Sequence, residues 1–253
     1  MKKKFLFPFL CFILLLLIGI GLMLYPLISN WYGERVRSTV EVQYNEAIAK
    51  LEDESIREAF RAAQEYNESL YSVQLDPAAA VDEYDSLLNL SGNGIMGYVE
   101  IPVIDVNLPI YHTVAESSLQ KGAGHMPGTS LPIGGKSTHA VISAHSGMSD
   151  ARMFTDLDKV QKGDLILLHV LGDTLAYAVD TITVTDPADI EAIEIRQDKD
   201  LVTLVTCTPY SVNTHRLLVR GHRIELTEEE ITEETKATEP EASTWMEKYI
   251  EGI

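Results

Sequence analysis

Cysteine is nearly absent from this chain: 253 residues carry two, Cys11 and Cys207. Cys11 sits inside an apolar run, where a thiol reads as a small hydrophobe. The polar remainder therefore holds one thiol, too few for an internal disulfide framework. A lone thiol of that kind is either a buried, inert side chain or a reactive group, and its neighbours must decide. Positive charge is also scarce. Lys and Arg number 20 against 38 Asp and Glu, a formal charge of −18, which argues against a nucleic-acid binder, since that would need a basic face. No internal repeat is present.

One long apolar run is present. Lys2, Lys3 and Lys4 precede an uncharged stretch from Phe5 to Ile28, and about 20 apolar residues suffice to cross a bilayer as a helix. Ser29, Asn30, Trp31 and Tyr32 follow without a small-x-small cleavage site, which favours an uncleaved anchor over a signal peptide. The lysines predict a cytoplasmic N-terminus, with the rest of the chain outside. Residues 1–30 thus read as a transmembrane anchor.

Val36, Val40, Ala47, Leu51, Ile56, Phe60, Ala63 and Leu70 recur at spacings near three and four. The spacing predicts a stalk helix over 34–70, its apolar face packed on the following domain. Leu75-Asp76-Pro77 breaks that helix, and Ala78 to Leu90 predicts a short helical turn around Tyr84. Residues 31–93 read together as a helical stalk. From Ile95 the period becomes strand-like. Met96–Ile101, Val106–Tyr111, Ala140–Ala144, Asp164–Val170, Thr174–Val184, Leu201–Thr206 and Arg216–Leu226 read as β-strands, punctuated by Gly, Pro, Asn and Asp. Ala151 to Asp158 predicts one or two helical turns. Many short strands with turns between them make residues 94–227 a mainly β barrel or sandwich. Residues 228–253 hold nine Glu and two Lys, a net of −7, and predict a solvated, disordered tail with a short terminal helix. Glu247, Lys248 and Glu251 argue against a second membrane span there.

The thiol at Cys207 ends the strand-like run Thr203-Leu204-Val205-Thr206, at the rim of the domain rather than in its core. Thiolate is the nucleophile of such a group, and a free thiol is mostly protonated at neutral pH, so it needs a base or a positive charge nearby. His145 ends another strand-like run before Gly147. A histidine can take the thiol proton and later return one to a leaving amine. Arg216 opens the next strand-like run, nine residues after Cys207. A hairpin would set it beside the thiol, where its fixed N–H donors suit a developing oxyanion. His112, His125, His139, His169, His215 and His222 are read as structural or surface residues.

The segment Thr203-Leu204-Val205-Thr206-Cys207 resembles the TLxTC signature of sortases. Arg216, within Asn213-Thr214-His215-Arg216-Leu217, falls at that family's arginine spacing, and Thr138-His139-Ala140-Val141-Ile142-Ser143-Ala144-His145 is similar to its histidine strand. Gly94–Pro102, Gly124–Pro132 and Phe154–Leu157 match as well. The resemblance covers about residues 75–227 and is greatest to class C, the pilin-type sortases. It implies an eight-stranded β-barrel with short helices. It also implies a cysteine transpeptidase that cleaves an LPxTG-like sorting signal between Thr and Gly through a thioacyl-enzyme. The acyl group would pass to an amine, either a pilin lysine or, in anchoring enzymes, a peptidoglycan precursor. No metal or organic cofactor is implied.

Class C members are similar in carrying an Asp-Pro-aromatic lid over the cleft. Asp76 and Pro77 match its first two positions, but Ala78 stands where the aromatic would be, and an alanine cannot cap a thiol by ring contact. Two rival readings are weighed. An L,D-transpeptidase would place its cysteine after glycine and close to its histidine, whereas Thr206 precedes Cys207 here. A non-catalytic tethered binding module would be expected to lose Cys, His or Arg.

Overall fold

The computed structural model describes residues 6–72, 84–147 and 152–238. Eight strands close into a barrel: β1 (Ile95–Ile101), β2 (Val106–His112), β3 (Ala123–His125), β4 (Thr138–Ser143), β5 (Leu165–Val170), β6 (Asp173–Thr185), β7 (Asp200–Thr208) and β8 (His215–Ile224). Around the wall they run β1-β2-β3-β4-β7-β8-β6-β5, and β5 returns to β1. Closure leaves no free sheet edge. β2 pairs with β3, and β4 with β7, in parallel; the other six contacts are antiparallel.

The alternation along the strands explains the closure. Val99, Ile101, Leu108, Ile110, Ile142, Ile166, Leu168, Val202, Leu204 and Val219 fill the interior with Phe154 and Leu157. Burial of each such side chain stabilises by about 1.5–3 kcal/mol. Where β1 meets β5 the backbones come so close that a Cβ on Gly97 would lie 2.3 Å from the His169 carbonyl oxygen, so only glycine fits.

The pairings define two ends. The mouth is formed by the ends of β1, β4, β6 and β7 and the starts of β2, β5 and β8. The base is formed by the opposite ends, where the Asp200 carboxylate accepts the Gly135 N–H at 2.8 Å and the Tyr177 hydroxyl at 2.9 Å.

Two helices precede the barrel, α1 (Leu6–Ala49) and α2 (Asp53–Ser72). The stalk helix expected over 34–70 is thus divided. The chain turns at Lys50–Glu52, where the Glu52 carbonyl accepts Ser55 N and Ile56 N. Asp53 and Glu54 then occupy the first turn of α2, where negative charge suits the helix dipole. Ala63 and Leu70 are buried as the spacing predicts, but Phe60 is 42% exposed. Val40, Tyr44 and Ile48 of α1 pack on Ile95, Tyr98 and Tyr111. The buried Tyr44 hydroxyl donates to the Met96 carbonyl and accepts Leu171 N, both at 3.0 Å.

Phe12 and Leu14 to Leu17 of α1 are exposed. Among the described residues, no helix is long and apolar enough to cross a membrane.

Three-residue β3 lies where no strand was expected. The turn over 153–156 and the 3-10 turn Leu157–Lys159 occupy the expected helical stretch before β5. The acidic segment expected to be disordered is helical over Glu228–Thr238 (α4), because Ile231 has apolar partners in Leu165, Leu167 and Ala176. Residues 239–253 lie outside the described residues.

Candidate active site

Three adjacent strands bring three distant segments to the mouth. In the β7–β8 hairpin Cys207 is directly opposite Arg216, and on the other side of β8 Thr185 is opposite Arg216 as well. β4 runs parallel to β7 with Ser143 beside Val205. The pairing continues past the end of β4: Ala144 N donates to the Val205 carbonyl at 3.2 Å, and Thr206 Oγ1 donates to the Ala144 carbonyl at 2.8 Å. Ser146 Oγ then donates to the Cys207 carbonyl at 2.7 Å. His145 is therefore clamped between two residues tied to the backbone of the thiol's own strand. The sequence-predicted residues His145, Cys207 and Arg216 all meet at this one end, and all three are half-buried.

The histidine loop is fixed from the outside too. Phe154 N donates to the His145 carbonyl, and Gly147 N donates to Thr155 Oγ1, both at 3.0 Å. Gly147 has a φ of +77°, and a Cβ there would lie 2.9 Å from the Tyr210 ring. Glycine is required both by the left-handed backbone and by this close approach. Arg216 Nη1 donates to the carbonyls of Asn213 at 3.3 Å and His215 at 3.0 Å. Those bonds orient one arm of the guanidinium and leave its other donors for a ligand. Cys207 is a free thiol.

Glu116, in the first turn of α3 (Glu116–Leu119), places Oε2 at 3.4 Å from His145 Nε2. Its side chain is 67% exposed and that of the histidine 29%. Sequence reasoning did not single out Glu116, since nothing in a polar residue 29 positions away marks it as a neighbour of His145. Val184, Ile190, Tyr210 and Val212 are exposed apolar side chains around the same end.

The remaining histidines take structural places. His125 is buried: its Nδ1 faces the Tyr84 hydroxyl at 2.8 Å and its Nε2 the Ser130 carbonyl at 2.8 Å. His139 is buried between the Glu194 carbonyl (2.9 Å from Nδ1) and the Thr203 hydroxyl (2.7 Å from Nε2). Each ring thus has one acceptor and one hydroxyl as partners, which satisfies a neutral imidazole. Burial lowers both groups to about 4. His112 is buried against the carbonyls of Leu87 and Gly94. His169 stacks on Tyr98 at 4.3 Å, and His222 faces Asp180. His215 bonds Thr214 on the surface. Asp76 and Pro77, expected to form a lid, lie with Ala78 outside the described residues.

Residues 99–224 match the family model described as the sortase domain. A sortase A of Streptococcus agalactiae is 30% identical over 130 residues, which are 50% of this chain and 52% of that protein, so the chain spans about half the length of that relative. A sortase A of Listeria monocytogenes is 27% identical over 211 residues, 83% of this chain and 88% of that protein. Among solved structures, sortase C1 of GBS pilus island 1 superposes with a TM-score of 0.73 at 40% identity, covering 81% of this chain and 100% of that one. Streptococcus pneumoniae sortase C superposes with a TM-score of 0.68 at 44% identity, covering 75% and 98%. With the barrel closed as expected and a solved sortase matched over its whole length, the chain belongs to the sortase family, and its structural neighbours are class C sortases.

Proposed function

We propose that this chain is a membrane-anchored cysteine transpeptidase acting on LPxTG-like sorting signals, with Cys207 as nucleophile, His145 as general acid and base, and Arg216 as oxyanion donor. The observation that carries the reading is the register of Cys207 against Arg216, with His145 clamped beside the same strand by the Ser146 hydroxyl. His145 takes the thiol proton, and the sulfur attacks the Thr–Gly carbonyl carbon. Charge builds on the carbonyl oxygen, where the free donors of Arg216 can meet it. As the C–N bond breaks, His145 returns the proton to the glycine amine, which leaves a thioester on Cys207. An incoming amine attacks that thioester, His145 accepts its proton, and the new amide departs as the thiol reforms. No metal or organic cofactor enters these steps.

A pilin lysine is the favoured acceptor, since the structural neighbours include sortase C1 of GBS pilus island 1. Another neighbour, a Clostridium perfringens sortase C, was solved with the C-terminal cell wall sorting motif. The anchor is Phe5–Ile28, with the N-terminus cytoplasmic and the barrel outside; the uncharged run and the exposed apolar flank of α1 support it.

The test incubates the full chain in detergent with an LPxTG-type peptide and an amine. Wild type should form a thioacyl adduct on Cys207, visible by mass, and release the C-terminal fragment. Cys207→Ala should do neither. Arg216→Ala should lower kcat by about 10²–10³-fold, the cost of one oxyanion donor. Turnover by Cys207→Ala at the wild-type rate would overturn the assignment.

A further inference from the structure

The direction in which α1 crosses the barrel has a consequence for where the mouth points. Near its C-terminal end, α1 lies on β1 and β2. Glu41 Oε2 accepts Asn107 Nδ2 at 2.9 Å, and Asn107 is at the start of β2, the mouth end. Three residues later Tyr44 bonds Met96 and Leu171, near the base ends of β1 and β5. Ile48 lies at the base, where its Cγ2 would be 3.6 Å from a Cβ on Gly172 in the β5–β6 turn. The helix therefore runs from mouth to base as residue number rises. Its earlier residues leave the barrel past the mouth, on the side where Cys207, His145 and Arg216 gather.

We propose that the barrel is suspended with its Cys207 mouth toward the lipid surface, so that the reaction takes place in the gap between barrel and bilayer. This rests on the reading of Phe5–Ile28 as a membrane anchor. From Ile28 to Glu41 is about thirteen residues, and at about 1.5 Å per helical residue the gap is about 20 Å. About six residues of extended chain cross that distance. A reacting segment within a few residues of the bilayer meets a mouth in this orientation directly. A chain displayed far from the membrane would have to fold back to enter.

The test measures which end of the barrel is nearer the lipid. Two single-cysteine forms of the full chain are made in a Cys11→Ala background. One keeps Cys207; the other carries Asp173→Cys with Cys207→Ala and places its thiol on the exposed hairpin at the base. Each is labelled with a donor fluorophore and reconstituted into vesicles that contain an acceptor on the lipid headgroup. The two ends are about 20–25 Å apart, from nine residues of β7 tilted in the wall, so the Cys207 donor should transfer at least about threefold faster. Equal rates, or faster transfer from position 173, in chains that float with the vesicles would overturn the orientation while leaving the anchor intact. A chain that fails to float would overturn the anchor and the orientation with it.

Discussion

Acid should destabilise this barrel at a pH set by two buried histidines. His125 and His139 are buried, and burial holds each at about 4, whereas the unfolded chain returns them to about 6.5. Above pH 6.5 both states are neutral and the native state keeps its full advantage. Between 6.5 and 4 the unfolded chain takes up protons that the native rings refuse, so stability falls as pH falls. Below 4 both states are protonated and the loss is complete. The gap from 6.5 to 4 is worth about 3 kcal/mol per histidine, about 6–7 kcal/mol for the pair. That is of the order of a domain's whole stability, about 5–15 kcal/mol. Two other groups bracket the window. Burial raises Asp200, so its native carboxyl binds a proton sooner and offsets part of the loss. Asp156, held low chiefly by Lys159, loses its contribution only below the ordinary carboxylate range. The assay is urea unfolding of the full chain in detergent, followed by near-ultraviolet circular dichroism at about pH 7, 6, 5 and 4. His125→Gln should start less stable and fall about half as far, because one of the two protons is gone. A fall of less than about 1 kcal/mol in wild type, or an undiminished fall in His125→Gln, would refute the reasoning.

Tyr44→Phe removes the hydroxyl that satisfies the Met96 carbonyl and Leu171 N. Leaving two buried backbone groups unpaired should cost about 2–4 kcal/mol and lower the thermal midpoint by roughly 5–10 °C; a shift under about 1 °C would mean that α1 is not fastened there. Glu116→Gln should change kcat/KM in the peptide assay by less than about fivefold, since exposed ion pairs contribute about 0–1 kcal/mol. The difference should vanish at high salt. A hundredfold loss would make Glu116 a participant in the chemistry rather than a neighbour of it.

The strands were legible wherever alternation ran for five or more residues. β3 was not, because Ala123-Gly124-His125 is too short to show a period and is held only by pairing on both sides. Closure itself came from family resemblance. Alternation says which face is apolar, but the choice between barrel and sandwich depends on whether β5 finds β1, a contact that no local pattern records. Of the site, the hairpin spacing between Cys207 and Arg216 could be read from nine residues of sequence. The approach of His145 could not, because a parallel partner 62 residues away leaves no periodic trace. The division of the stalk at Lys50–Glu52 was hidden because helix-forming residues continue through it.

The parallel pairing of β4 with β7 also sets the order in which the wall can be completed. β1, β2, the β3–β4 pair and the β5–β6 hairpin can form from neighbouring sequence, but β4 finds its second partner only in β7, and β8 must then enter between β7 and β6. Such long-range closures come late and slowly in folding. Cys207 and Arg216 lie on those last two strands, and the bonds that tie Ala144 and Ser146 beside Cys207 form only when β7 arrives. A chain folded only as far as β6 thus holds His145 without Cys207 and Arg216 beside it. The three side chains come together only as β7 and β8 complete the wall.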